Sequence, residues 1–289
     1  MAARPALWLV DKPAGPTSHD VVARIRRRLG RHTKVGHSGT LDPFATGLLV
    51  VLVGRATRLA PFLTALDKTY LATLRTGFTS ATGDPEGPVE PAGEPAAAER
   101  VGAVLPAFRG RQLQRVPALA AVKVEGERLY VRARRGEPVD GPEREIEIHA
   151  LELVEDHGGG VATLSVRCSP GTYVRRLAED IGARLGCGAY LTALRRTAVG
   201  ALSVDDAVAP EEVGPEGGLD PARGLAHLPR RELTPAELAD VVHGRPVAAG
   251  DAPTGEGPVA LVGQDGRLVA VARPGGSGLR PAVVLEDPA

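Results

Sequence analysis

Apolar positions return along the chain with two different periods, and these divide it into elements. Leu7 to Val10 is a short apolar run of strand character, followed by a turn built on Pro13, Gly15 and Pro16. Val21, Val22, Ile25 and Leu29 then recur at helical spacing, with Thr17 or Ser18 as the cap and Gly30 as the stop. The other face of that helix holds Arg24, Arg26, Arg27 and Arg28. Residues 36–47 lack an apolar period and predict a Gly-rich loop, after which Leu48 to Val53 is a continuous apolar run that predicts a buried strand. Residues 56–66 predict a helix and Lys68 to Thr76 a strand. The stretch 79–95 reads as a flexible Gly/Pro/acidic insertion, and 96–106 as a helix ended near Pro106. Period-two alternation over 143–154 and 161–168, joined by Gly158 to Gly160, predicts a hairpin. Val174, Leu177, Ile181 and Leu185 mark a helix closed by Gly186.

After residue 204 the pattern changes. The stretch 205–229 is acidic and rich in Pro and Gly, and reads as a linker with one short helix. Residues 230–289 predict a helix over 234–243 and strands near 258–262, 268–273 and 281–285, a small α/β or barrel-like module. The expected division is therefore 1–204, a linker over 205–229, and a module over 230–289. Strands interleaved irregularly with helices and joined by hairpins favour an α+β fold over a doubly wound parallel sheet.

Composition adds limits. Gly and Pro make 61 of the 289 residues, which suits long loops but stays below the share at which disorder is the default reading. Cys168 and Cys187 belong to no metal or redox spacing and read as buried small residues in a reducing compartment. The longest apolar run, six residues, is far short of the ~20 that span a bilayer. Ala6 to Val10 is too short for the apolar part of a signal peptide, so a cytoplasmic protein without membrane contact is expected.

The net charge is zero, with 35 basic and 35 acidic residues, but the charge is segregated. Residues 1–60 hold ten Lys/Arg against three Asp/Glu, and 107–135 hold eight against two. The acids gather in 83–99 and 205–220, which contain no base. Such a distribution suits a polyanion-binding face, and equally suits loops kept acidic for solubility.

The densest chemistry lies in Val35-Gly36-His37-Ser38-Gly39-Thr40-Leu41-Asp42-Pro43-Phe44-Ala45-Thr46-Gly47. Glycines and a proline fix an unusual backbone path, and four kinds of polar side chain sit just before a buried strand. A Walker phosphate loop is excluded by the missing GK[ST] ending. A metal site lacks further ligands at suitable spacing. A structural turn stays open on the residues alone.

From Gly36 to Gly47 the loop resembles, unbroken, the G-H-[ST]-G-[TA]-L-D-P-x-A-T-G motif of the TruB family of bacterial tRNA pseudouridine synthases. Further segments resemble that family in the same order: Asp11-Lys12-Pro13, Asp67-Lys68-Thr69-Tyr70, Phe108-Arg109-Gly110, Val122-Lys123-Val124-Glu125-Gly126, Cys168 to Arg175, and Leu194-Arg195-Arg196. The resemblance spans residues 7–200. One departure is the stretch Gln114 to Lys123, which lacks the second Pro, the Tyr and the Ser usual there. Another is Arg58, where the family often has Lys.

The resemblance implies a pseudouridine synthase-like mixed or antiparallel sheet with flanking helices, and a small PUA-like RNA-binding module at 230–289. It implies conversion of uridine 55 in the tRNA T arm to pseudouridine by base flipping, with no cofactor and no metal. Asp42 would be the catalytic carboxylate, Tyr70 would stack on the uracil, and Arg175 would pair with Asp42. Arg175 and Arg176 also precede Glu179 and Asp180 at helix-surface spacing, so plain surface pairs compete with that role. His37 would support the position vacated by the flipped base. Tyr173, Leu194, Lys12, Arg58 and Lys123 complete the expected substrate-binding set. A monomer acting on tRNA without a protein partner is expected. The alternatives are a guide-RNA-dependent synthase and a non-catalytic tRNA-binding or folding protein.

Overall fold

A computed structural model describes residues 4–117, 123–124, 127–128, 141–250, 257–276 and 278–286. The described elements run β1 (Ala6–Lys12), α1 (Ser18–Leu29), β2 (Val35–His37), β3 (Thr46–Val53), α2 (Ala60–Thr64), β4 (Lys68–Thr76), β5 (Phe78–Ser80), β6 (Val89–Pro91), α3 (Ala98–Val104), β7 (Gly110–Arg115), β8 (Lys123–Val124) and β9 (Glu127–Arg128). They continue with β10 (Glu143–Gly158), β11 (Val161–Cys168), α4 (Val174–Leu185), β12 (Ala189–Val199), β13 (Leu202–Ser203), β14 (Arg230–Glu232), α5 (Pro235–Val242), β15 (Val247–Ala248), β16 (Val259–Val262), β17 (Leu268–Gly275) and β18 (Gly278–Val284). The fold is α+β, as the patterning predicts.

The chain forms two compact units. The first joins Met1–Pro43, Gly47–Ala65 and Val199–Ala289; the second joins Phe44–Thr46 and Leu66–Ala198. Both ends of the chain fall in the first unit.

In the first unit β1 and β2 both pair antiparallel with β3. Val21, Val22 and Ile25 of α1 pack on Val10, Leu49 and Val51 of these strands. Thr17 caps α1 in a reciprocal box with Asp20, and Gly30, at φ 97°, ends it. Residues 205–229 are no loose linker. The Val208 N–H donates to the Leu9 carbonyl, Leu7 and Leu219 exchange backbone bonds, and Val213 joins the core under α1. Three short 3-10 turns, not one helix, carry this stretch. The C-terminal module is a five-stranded sheet in the order β14-β16-β17-β18-β15, with Val241 of α5 packed on Leu261 and Val269. Thr234 caps α5, and Arg231, bonded to Glu237, holds that carboxyl down to about 2.

In the second unit the strand order is β12-β4-β11-β10-β7. β7, β10, β11 and β4 pair antiparallel in turn. The predicted hairpin is β10–β11, though β10 runs four residues longer than its alternation suggested. Residues 79–95 hold a second hairpin, β5–β6, where a flexible insertion was expected. Helix α4 ends at Gly186, whose φ of 75° is the left-handed conformation that glycine supplies without strain.

Candidate active site

The loop between β2 and β3 is tied down on both sides of Asp42. Ser18, in the first turn of α1, accepts from the Leu41 N–H at 2.8 Å and donates to the Leu41 carbonyl at 3.0 Å. Both residues are buried, so this reciprocal pair replaces water at both polar groups of one peptide residue. On the other side the Pro43 carbonyl accepts from the Gly15 N–H at 2.9 Å and from Lys12 Nζ at 3.1 Å. Lys12 Nζ also donates to the carbonyls of Pro13 and Pro16, at 2.9 and 2.7 Å. These three carbonyls are among the acceptors of its ammonium. Gly39, at φ 137°, and Gly47, at φ 99°, let the backbone enter and leave the loop. Ser38 anchors the start, its N–H donating to the Val50 carbonyl.

The Asp42 side chain is therefore held half-buried on a path its neighbours fix. His37, also half-buried, accepts the Gly39 N–H at Nδ1, 3.3 Å away. Lys12 was expected on the substrate. The structure buries it, with its ammonium holding the loop. Arg58 is exposed, and its Nη1 donates to the Val284 carbonyl of β18 at 3.1 Å. Two members of the Arg face of α1 also hold backbone: Arg26 donates to the Val35 carbonyl and Arg28 to that of Val213.

In the second unit, alternation along β4 turns Lys68, Tyr70, Ala72 and Leu74 to the buried face. Thr197 Oγ1 donates to the Thr69 carbonyl and Thr192 Oγ1 to that of Thr73, so β12 runs antiparallel beside β4. Leu194 and Arg196 are buried on β12, close along the strand to this pairing. Burial and then the charge of Arg196 push the Lys68 amine down to about 8. Burial pushes the Cys168 thiol up to about 11, which keeps it protonated and inert.

Helix α4 packs on β4 and brings Arg175 to the inside. Its guanidinium lies 3.4 Å from Asp84 and donates to the Thr82 carbonyl at 2.8 Å. Asp84 also receives the Thr82 hydroxyl proton and the Glu86 N–H. Gly83 (φ 73°) lets this turn lie against α4, where a Cβ would stand 2.5 Å from Glu179 Oε1. Arg176, one residue on, takes the helix-surface role and pairs with Asp180 at 2.7 Å and Glu179 at 3.4 Å. Tyr173 just precedes α4, its backbone clamped by the Gln114 side chain at 2.8 and 3.1 Å.

Of the expected residues, Lys12, His37, Asp42 and Arg58 lie in the first unit, and Tyr70, Tyr173, Arg175 and Leu194 in the second. The Lys123 side chain lies outside the described part of the structure. Two residues of evident consequence were not among the expected site residues, Ser18 and Asp84. The signal for Ser18 was its place at the helix start; for Asp84 it was a Thr-Gly-Asp turn inside an otherwise acidic stretch. Chemically, the first unit offers a fixed carboxylate and an imidazole. The second offers a phenol, an apolar side chain and a buried, anchored guanidinium.

Residues 26–174 match the model of the TruB family pseudouridylate synthase N-terminal domain. Residues 175–217 match the tRNA pseudouridylate synthase B C-terminal domain, and 228–286 match the tRNA pseudouridine synthase II C-terminal model. A tRNA pseudouridine synthase B of Synechococcus sp. is 45% identical over 96% of both chains. One of Thermobifida fusca is 44% identical over 96% of this chain and 97% of its own. The fold resembles a chain in the structure of an H/ACA RNP bound to a substrate RNA containing 2′-deoxyuridine. There the TM-score is 0.75 at 24% identity, covering 98% of this chain and 86% of the other.

Proposed function

The chain belongs to the TruB family of pseudouridylate synthases, and from this we propose that it isomerises uridine 55 in the T arm of tRNA to pseudouridine. The observation that carries the proposal is Asp42, a half-buried carboxylate whose two neighbouring peptide units are fixed by Ser18, Gly15 and Lys12. Pre-set position is what a group attacking one sugar carbon needs.

The reaction breaks the N1–C1′ bond, turns the uracil, and rejoins it to C1′ through C5. C5 gives up its proton to solvent and N1 takes one up, so overall no atoms are gained or lost, and no electrons are exchanged with a cofactor. Asp42 either attacks C1′ as a nucleophile or removes the C2′ proton. Tyr70 gives the uracil a flat face while it is detached, and its hydroxyl can help take the C5 proton. Arg175 is the residue suited to pair with the Asp42 carboxylate. Leu194 and Tyr173 would line the uridine pocket. The target base is stacked in a folded arm, so it must be extruded, and His37 would support the space it leaves. Arg24 and Arg27, exposed on α1, are suited to backbone phosphates. The segments 1–204 and 230–289 would act as catalytic and PUA-like RNA-binding parts of a cytoplasmic monomer.

A guide-RNA-dependent mode has less support, because the relatives matched along almost their whole length are named tRNA pseudouridine synthase B. The test uses tRNA carrying tritium at uridine C5. The wild-type protein should release one tritium per tRNA, and Asp42→Asn none while still binding. Release by the Asn variant at the wild-type rate would remove Asp42 from this role.

A further inference from the structure

The first unit contains a cleft of about 750 Å3, none of whose lining residues belongs to the 36–47 loop. Its walls come from the chain before β1, the turn between α1 and β2, the start of the turn after β3, the turn at Asp220 and Pro221, and the C-terminal module. Arg4, His32, Lys34, Arg55 and Arg267 line it. Two carboxylates share the wall. Asp220 Oδ1 is engaged by the backbone N–H groups of Ala222 at 2.8 Å and Leu268 at 3.2 Å. Glu286 is exposed, and its carbonyl accepts from Arg55 Nη1 at 2.6 Å. Arg267 is held by Asp265 at 3.3 Å. The Arg4 and Lys34 side chains form no ion pair or hydrogen bond among the described residues. A concave site of nucleotide size thus presents two uncompensated cations, with a third, Arg55, already oriented by the C-terminal module.

We propose that this cleft is a second anion site, separate from the uridine pocket, that takes a phosphate group through Arg4 and Lys34. Arg offers paired N–H donors to phosphate oxygens, and Lys adds a compact charge. An RNA backbone phosphate is the favoured source, and a free nucleotide is the other. Beside the cleft, Arg55 and Arg58 bond to the carbonyls of Glu286 and Val284. The proposal rests on the tRNA reading for its source but not for its chemistry.

The test compares the wild type with Arg4→Glu/Lys34→Glu and with the milder Arg4→Gln/Lys34→Gln. Both side chains are exposed, so thermal midpoints should stay at the wild-type value. Affinity for unmodified tRNA is measured over a salt series, with calorimetric titrations of inorganic phosphate and AMP beside it. The double Glu variant should bind tRNA roughly tenfold or more weakly at low salt. Its log–log salt slope should be shallower by about one unit, for the one phosphate that is no longer neutralised. The Gln pair should show the same change at smaller size. The single-turnover rate at saturating enzyme should not change. If tRNA binding is unaltered but AMP or phosphate binds the wild type and not the variants, the site stands and its source is a free nucleotide. Identical tRNA affinity and slope, with no phosphate or AMP binding that the variants lose, overturn the proposal. A wild type that makes no pseudouridine but loses phosphate binding on substitution would overturn the tRNA reading alone.

Discussion

The Arg175 guanidinium and the Asp84 carboxylate stand 3.4 Å apart, with side-chain exposures of 6% and 4%. A cation sealed to this degree needs its counter-ion, and the turn at Thr82 to Glu86 supplies one already held by its own hydrogen bonds. Asp84 thereby fixes where Arg175 points. Asp84→Asn, which keeps the shape and removes the charge, should slow single-turnover isomerisation roughly 10²-fold through misplacement of Arg175. tRNA affinity should stay near wild type. Asp84→Ala should in addition cost ~3–5 kcal/mol in urea unfolding, as it leaves the guanidinium buried without this partner. An Asn variant of wild-type rate would separate Asp84 from catalysis.

Ser18 acts on Asp42 through one peptide residue. In Ser18→Ala the buried Leu41 N–H and carbonyl lose their shared partner, at a cost of ~1–3 kcal/mol. The loop should loosen, with the rate at saturating tRNA falling more than KM rises. Ser18→Thr should restore part of the rate if its methyl group is accommodated. A loss confined to stability, with an unchanged rate at a temperature where the variant is folded, would leave Ser18 a purely structural residue.

The Arg face of α1 divides by function. Arg24→Glu/Arg27→Glu should weaken tRNA binding and flatten its salt dependence, because both side chains are exposed. Arg26→Glu/Arg28→Glu should mainly lower the melting temperature, since these two hold the Val35 and Val213 carbonyls. Melting and filter-binding curves on the two variants distinguish the roles. Equal loss of tRNA affinity in both, without a stability difference, would contradict the division.

Lys68 makes stability depend on pH. Its amine titrates near 8 in the fold against 10.5 as an ordinary lysine, because it is buried and faces Arg196. Between those values the unfolded chain binds the extra proton, so this group's contribution to stability rises as pH goes from about 8 to 10.5. Below 8 the penalty of the buried charge is fully present. The difference in urea-unfolding free energy between wild type and Lys68→Met should move in favour of the wild type across that window. A difference that stays flat from pH 7 to 10.5 would mean that Lys68 keeps an ordinary proton affinity. Cys168, raised to about 11, acts in the opposite direction, and the comparison of these two proteins largely removes it.

Much of this was legible in the sequence where side chains follow a clear period. β4 appears at the bounds its alternation predicts, and α4 ends at the glycine that predicted its end. β12, eleven residues long, was not foreseen, because Thr192, Arg195, Arg196 and Thr197 break its apolar pattern. Arg196 is nevertheless buried, a charge that tertiary structure accommodates and that periodicity reads as surface. Residues 205–229 looked like a linker because acids, Pro and Gly dominate them. Val213, Leu225 and Leu228 there are buried, and backbone bonds from Val208 and Leu219 to β1 do the rest. The motif located Asp42, but not what immobilises it. Ser18 is 23 residues from Leu41, and no apolar period or motif announces the bond between them. Lys12 reads as a cation available for RNA, and nothing in its pattern announces its burial or its bonds to the Pro13, Pro16 and Pro43 carbonyls.

The most direct measurement is position-resolved mapping of pseudouridine in an unmodified tRNA transcript incubated with the purified protein, in EDTA, with Asp42→Asn in parallel. The account predicts a single new pseudouridine at position 55 with the wild type, and none with the Asn variant, which still binds the tRNA. Absence of pseudouridine at that position, or its formation by Asp42→Asn at a comparable rate, would contradict it.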